Sequence, residues 1–257
     1  MDLIKLDLLD LLLALGLMGL TVLLSWWQKL GLAGQLTWAA VRMIVQLVGV
    51  GYLLDVVFAL ENPPAVMAII LGMITVAAIA AKRRIGLAQS LPMLWGSIFT
   101  STAVVLVYVD GLILQPPQWY SPQYLIPLAG IIIGNAMNGA ALAGERLMSA
   151  LRQNRSEIET HLSLGASPAQ AIANYRRQAL RAATVPIMNQ MMVIGIVTLP
   201  GIMTGQLLGG IKPLEATSYQ ILIMFILAFA DLLTGFLITE GIYRQFFNSQ
   251  EQLQFPK

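Results

Sequence analysis

The sequence contains no cysteine and one histidine, and only 11% of its 257 residues are charged. The missing thiols exclude a disulfide scaffold, a thiol-redox centre and any Cys-ligated zinc or iron–sulfur site. With His161 alone there is no histidine-rich metal cage. The shortage of charge excludes more. A soluble domain carries about 25% charged residues, and this chain has less than half of that with which to cover a water-facing surface. A formal net charge of +2 is too small to mark a nucleic-acid-binding surface. Catalytic signatures are missing as well. Without a G-x-x-x-x-G-K-S/T phosphate loop, the chain is not expected to hydrolyse ATP. Neither H-E-x-x-H nor G-x-S-x-G occurs, and the last apolar segment has no Lys for a retinal Schiff base. We expect no catalytic residue and no cofactor in this chain.

What is present is apolar: 57% of residues are hydrophobic and the mean hydropathy is +0.74. Crossing the ~30 Å hydrocarbon core as a helix takes about 20 apolar residues. Seven segments qualify: 8–27, 38–60, 64–81, 93–114, 124–146, 185–208 and 217–243. The runs are continuous and lack the alternation of a membrane β-barrel. The acidic start does not read as a cleaved signal. The expected fold is therefore an all-α polytopic integral membrane protein of about seven transmembrane helices. One domain covers 1–257, with no clear internal repeat.

Orientation follows from the basic residues. Lys82, Arg83 and Arg84 follow the third segment, and Arg146, Arg152, Arg155, Arg176, Arg177 and Arg181 surround the connection after the fifth. With Lys29, Arg244 and Lys257 they put twelve basic residues on one side, against Lys5 and Lys212 on the other. The positive-inside rule then sets the N-terminus outside and the C-terminus in the cytoplasm. Trp26, Trp27, Trp38 and Trp95 fall at cytoplasmic ends, and Trp119, Tyr120 and Tyr124 at an external one.

Only the connection over 147–184 is long. Ile158, Leu162 and Leu164 give it a short amphipathic helix that Gly165 should stop, and Ser167-Pro168 is a strong start for the next helix. The result is a cytoplasmic helical hairpin. Its apolar residues could seat in a partner's groove, with Glu157 and Glu159 pairing with basic groups there. Alternatively, it is a solvated loop whose arginines hold anionic lipid.

Residues Glu159 to Gly165 have the E-x-x-x-x-x-G spacing of the loop by which many ABC-transporter permeases dock on their ATPase. The run SEIETHLSLGASPAQAI, together with PGIMTGQLLGG at 200–210, closely resembles the Fet-type iron-export permease family, which includes the plant aluminium-tolerance permeases. The loop differs from the import type in having Thr160 and His161 where two Ala are usual. The resemblance implies an inner-membrane (plasma-membrane) permease subunit that exports iron or a related metal. It would act as a homodimer with two cytoplasmic ATPase subunits, which would bind the ATP and Mg. It assigns docking to Glu157, Ile158, Glu159, Leu162, Leu164 and Gly165. The competing class is a seven-span receptor or accessory membrane protein that uses the hairpin to bind a cytoplasmic partner.

Polar residues within the spans are the remaining signal, because an ionisable group in mid-span costs at least ~2.5 kcal/mol. Asp231 lies near the centre of the last span, with Thr234 one turn on. Asn135, Asn138 and Glu145 fall within an arc of about 80° on the fifth span, beside Gly130 and Gly134, which are spaced for close helix approach. The sixth span carries Asn189-Gln190 and then Pro200-Gly201, where a broken helix or a kink is expected. These residues are candidates for a translocation path or for interhelical anchors. Asp231 and Asn138 come first as metal ligands. Met188, Met191, Met192 and Met203 supply thioethers, which are more often packing than ligands. Arg42 and Gln46 read as structural, and Asp55 and Asp110 as hydrated external residues, with an exit-side cation site as the alternative.

Overall fold

The computed structural model describes residues 7–60, 62–86, 90–248 and 250–254. Lys5 and Lys257, which enter the charge asymmetry, lie outside the described residues. All regular elements described are helical, and they group into two compact units. The first unit holds α1 (Leu8–Trp27) and α2 (Ala33–Leu60). Its apolar side chains are almost all exposed, Leu13, Leu17 and Val45 among them. An apolar helix without a polar face needs an apolar solvent around it.

The second unit begins with α3 (Pro63–Ile85) and α4 (Leu91–Tyr108), which continues through a π-helical turn over Val109–Leu114. It goes on through α5 (Pro122–Gln153), α6 (Arg155–Ser163), α7 (Pro168–Ala171), α8 (Ala173–Val193), α9 (Gly201–Leu208) and α10 (Pro213–Phe246). Proline opens α3, α5, α7 and α10, where its missing N–H removes no helical hydrogen bond. The core is built from Ile70, Ile74, Ile132, Leu147, Leu227 and Ile238, with Ala77, Ala78, Ala136, Ala140 and Ala230 between them. Small residues let helix backbones come close where no hydrophobic drive between helices is available.

Specific contacts fix the helix directions. Gly139 meets α10 at Asp231, and Gly144 meets it at Ile238, so α5 and α10 run parallel. Arg176 pairs with Glu240 at 2.9 Å, and Ala183 lies against Gly235, so α8 runs antiparallel to both. α4 also runs against α10, with Ser101 beside Ala230 and Met93 over Gly241. α3 ends where Ile85 reaches Gly144 and Arg84 reaches Glu145. Thus α3, α5 and α10 finish at one end of the unit. Arg84, Arg152, Arg176 and Arg244 gather there, as the basic pattern in the sequence requires.

Among the described residues, six helices are long and apolar enough to cross a membrane: Leu9–Trp27, Ala33–Phe58, Pro63–Ile85, Leu91–Leu114, Pro122–Gln153 and Pro213–Phe246. The segment expected at 185–208 is not one helix. α8 stops at Val193, and the chain turns through 194–200, where the Gly195 N–H donates to the Thr198 carbonyl at 2.9 Å. Helix resumes as α9 after Pro200, which has no N–H to continue a helical ladder. Since α10 starts at the end opposite α6 and α7, these two pieces and their turn carry the chain back along it.

The helical hairpin of α6 and α7 is shorter than its 147–184 expectation, because α5 continues to Gln153 and α8 begins at Ala173. Its turn chemistry is as expected. The Gly165 N–H donates to the Leu162 carbonyl and the Ala166 N–H to the His161 carbonyl, both at 3.0 Å, which closes the end of α6. This closure requires the left-handed φ of 90° that Gly165 adopts. The Ser167 hydroxyl accepts from the Gln170 N–H at 3.4 Å, and the Ser167 N–H donates to Gln170 Oε1 at 2.9 Å. The pair forms a capping box at the start of α7.

Candidate functional site

Two stripes with helical i, i+3, i+4, i+7 spacing face each other beside Asp231. On α5 the stripe is Asn135, Asn138, Gly139 and Leu142; on α8 it is Ala183, Pro186, Ile187 and Gln190. With Asp231 of α10 they enclose a cavity of about 110 Å³. Asp231 is only 5% exposed, and its Oδ1 is buried with no hydrogen-bond partner in the structure. Other buried side-chain atoms among the described residues also lack a partner, Asp110 Oδ1 included, but only that of Asp231 belongs to a residue lining this cavity.

Gly139 makes this geometry possible. A Cβ at that position would stand 3.2 Å from both the Cα and the carbonyl oxygen of Asp231, and 3.3 Å from its Oδ1. The absent side chain thus lets α5 approach α10 at the level of the carboxylate. Pro186 acts on the opposite wall: lacking an N–H, it cannot satisfy the Ala182 carbonyl within α8. Asn135 donates its amide to the Ile131 carbonyl of its own helix at 3.0 Å, which leaves its Oδ1 unengaged. Asn138 and Gln190 are exposed at the mouth.

Four of the residues singled out in the sequence therefore come together: Asp231, Asn135, Asn138 and Gln190. Four do not. Glu145 continues the α5 stripe but lies seven residues, or about 10 Å, beyond Asn138. There it is exposed and forms a loose pair with Arg84 at 3.8 Å. Asn189 is one residue off the α8 stripe, so it points about 100° away and is exposed. Pro200 and Gly201 cap and open α9, apart from the cavity. Thr234 donates to the Ala230 carbonyl at 2.7 Å, as does Ser101 at 3.1 Å, so neither hydroxyl serves Asp231.

The small residues also differ from expectation. Gly134 has open space beside it and Gly130 meets only the flexible end of Met73, so the close approach falls at Gly139 instead. Met188 and Met192 are exposed, and Met191 packs on an apolar cluster. Gly139 and Pro186 were missed. Their signals were present as a glycine one residue after Asn138 and a proline one turn before Gln190.

The hairpin residues separate into an inner and an outer set. Ile158 is fully buried within the chain, so it is not an outward docking anchor. The helical period explains this correction: Leu164 lies about 120° around the helix from Ile158, so the three apolar residues cannot share one outer face. Leu164 is 80% exposed. Glu157 stands 3.9 Å from His161. Burial, and then a hydrogen bond with Glu157, pushes the Tyr175 hydroxyl pKa up. Glu159 pairs with Arg155 at 2.7 Å. Together with Leu162 it lines a polar groove of about 630 Å³, opposite the C-terminal residues 250–254.

Six long apolar helices, with a buried carboxylate between α5, α8 and α10 and a capped helical turn at their basic end, define a polytopic helical membrane protein. The chain belongs to the uncharacterised protein family UPF0014, which matches residues 8–247. A UPF0014 membrane protein of Synechocystis sp. is 54% identical to it, over 98% of each chain. The probable iron export permease protein FetB of Escherichia coli is 34% identical, over 94% of this chain and 92% of its own. The protein ALUMINUM SENSITIVE 3 of Arabidopsis thaliana is 31% identical, over 94% of this chain and 88% of its own. No solved structure matches the chain.

Proposed function

We propose that the chain is the permease subunit of an ABC-type exporter for iron or a related metal ion, working as a homodimer with two cytoplasmic ATPase subunits. One observation carries the reading. α8 joins the hairpin at its first residue and, a few turns on, forms a wall of the Asp231 cavity through Ala183, Pro186 and Gln190. Its first turns are tied to α10 by the Arg176–Glu240 pair, and Arg176 also lies 5.7 Å over the Tyr243 ring. A push on the hairpin is thereby delivered to the cavity along one element. Similarity to a probable iron export permease supports the class of cargo.

In this reading the chain crosses the inner (plasma) membrane seven times, the sixth crossing being the two pieces α8 and α9. The N-terminus is outside and the C-terminus cytoplasmic, and 1–257 acts as one permease domain. Glu157, Glu159, Leu162, Leu164 and Gly165 face the ATPase, with Ile158 fixing their helix from within. ATP and Mg bind on that partner, whose closure moves the hairpins and reorients the spans by alternating access. Asp231, Asn135, Asn138 and Gln190 line the path. The apolar outer faces meet lipid, and nucleic acid has no part.

The test is cellular metal content under iron load, with the gene deleted and then restored. Deletion is expected to raise retained iron, and the wild-type gene to lower it again. A receptor or accessory protein that used the hairpin only for signalling would leave metal content unchanged.

A further inference from the structure

The donor set of the Asp231 cavity defines a ligand class more narrowly than a transport role does. No Lys, Arg or His lines the cavity. The Asp231 Oδ1 is buried and unpaired, and the Asn135 amide N–H is already engaged by the Ile131 carbonyl, leaving its oxygen. The inner polar atoms are thus acceptors, which attract a cation and not an anion. Soft donors are missing from the wall as well: the chain has no cysteine, and none of its methionines lines the cavity. Oxygen donors of this kind suit hard cations, whereas thioether and thiolate sites select soft ones.

Size and charge add two constraints. At ~30 Å³ per water, a cavity of about 110 Å³ has room for a cation with roughly three waters of its shell. One carboxylate cannot neutralise a multivalent ion, so binding is weak. A stop on a path must release what it holds.

We propose that the cavity between α5, α8 and α10 is a low-affinity subsite for a partly hydrated hard cation. Asp231 and Asn135 supply its inner oxygen ligands, and Asn138 and Gln190 supply amide oxygens at the mouth. The inference rests on the exporter reading for its purpose, but not for its test.

The experiment uses the purified full chain in lipid nanodiscs with Mn²⁺ as the hard probe, followed by loss of the free-ion electron paramagnetic resonance signal. Wild type is expected to hold one more Mn²⁺ per chain than Asp231→Asn, and Asn135→Leu to weaken that site by about tenfold or more, the loss that disturbing even a metal's outer shell brings. Ag⁺, a soft probe, should not displace it. Equal Mn²⁺ uptake by wild type and Asp231→Asn, or displacement by stoichiometric Ag⁺, overturns the proposal. If Asp231→Asn does not fold, equal uptake by Asn135→Leu and wild type overturns it instead. Site-specific binding in a chain whose deletion leaves cellular metal unchanged supports the subsite and refutes the exporter reading. Metal export by a wild-type chain without that Mn²⁺ site does the reverse.

Discussion

At the scale of single residues, Asp231 is held in place without a compensating hydrogen bond, so burying its carboxyl group burdens the fold. Replacing it by Asn exchanges a desolvated carboxylate for a neutral amide of nearly the same shape. We expect Asp231→Asn to hold or raise the melting temperature in detergent while lowering metal export, the usual conflict between stability and function at a site. A clear fall in melting temperature would mean that the carboxylate has a structural partner. Gly139 gives a sharper steric test. Gly139→Val places atoms against the α10 backbone, and overpacking of this kind costs about 1–3 kcal/mol. Gly134→Val, with open space beside it, should change the melting temperature little. Equal effects at the two positions would refute the close approach of α5 to α10.

At the scale of elements, the hairpin is a small folded unit with an inside and an outside. Ile158→Ala should destabilise it by about 2–5 kcal/mol, the range for truncating a fully buried large aliphatic side chain. Protease sensitivity between Asn154 and Ile172 would report this. Leu164→Asp, at an exposed position, should leave that sensitivity unchanged but abolish co-purification of the proposed ATPase partner. If Leu164→Asp still retains the ATPase, docking lies elsewhere, and the groove against residues 250–254 becomes the first surface to probe. Ser167→Ala should cost about 1 kcal/mol through loss of the cap, read as earlier thermal loss of hairpin protection from hydrogen exchange.

At the scale of the whole molecule, the charge asymmetry and the helix directions make the same demand. The ends of α3, α5 and α10 carry the basic residues, and the start of α5 lies at the opposite end. The chain has no native cysteine, so single cysteines at Ser121 and Ser156 can be labelled without background. An impermeant thiol reagent outside intact cells is expected to reach position 121 and not position 156. Labelling of 156 alone would invert the topology, and labelling of both would refute the placement of the hairpin.

Much of this protein was legible in one dimension because a bilayer acts on one-dimensional properties. Length and apolarity mark a crossing, basic residues mark a side, and local hydrogen-bonding chemistry marks a turn. Hence the helices, the charge asymmetry and the Gly165–Ser167 turn could all be read from neighbouring residues alone. The break at 194–200 was half legible: Pro200 announced it, but a break and a kink share the same local signal. What tertiary structure alone decided is which polar residues meet. Asn135, Asn138, Asn189, Gln190 and Glu145 look alike as polar residues in apolar runs, yet three of them join Asp231 and two do not. That depends on how far each helix is rotated and shifted against the next, and those two quantities are set by packing between residues far apart in the chain. Gly139, which admits α10, and Pro186, on the facing wall, acquire meaning only once the three helices stand side by side.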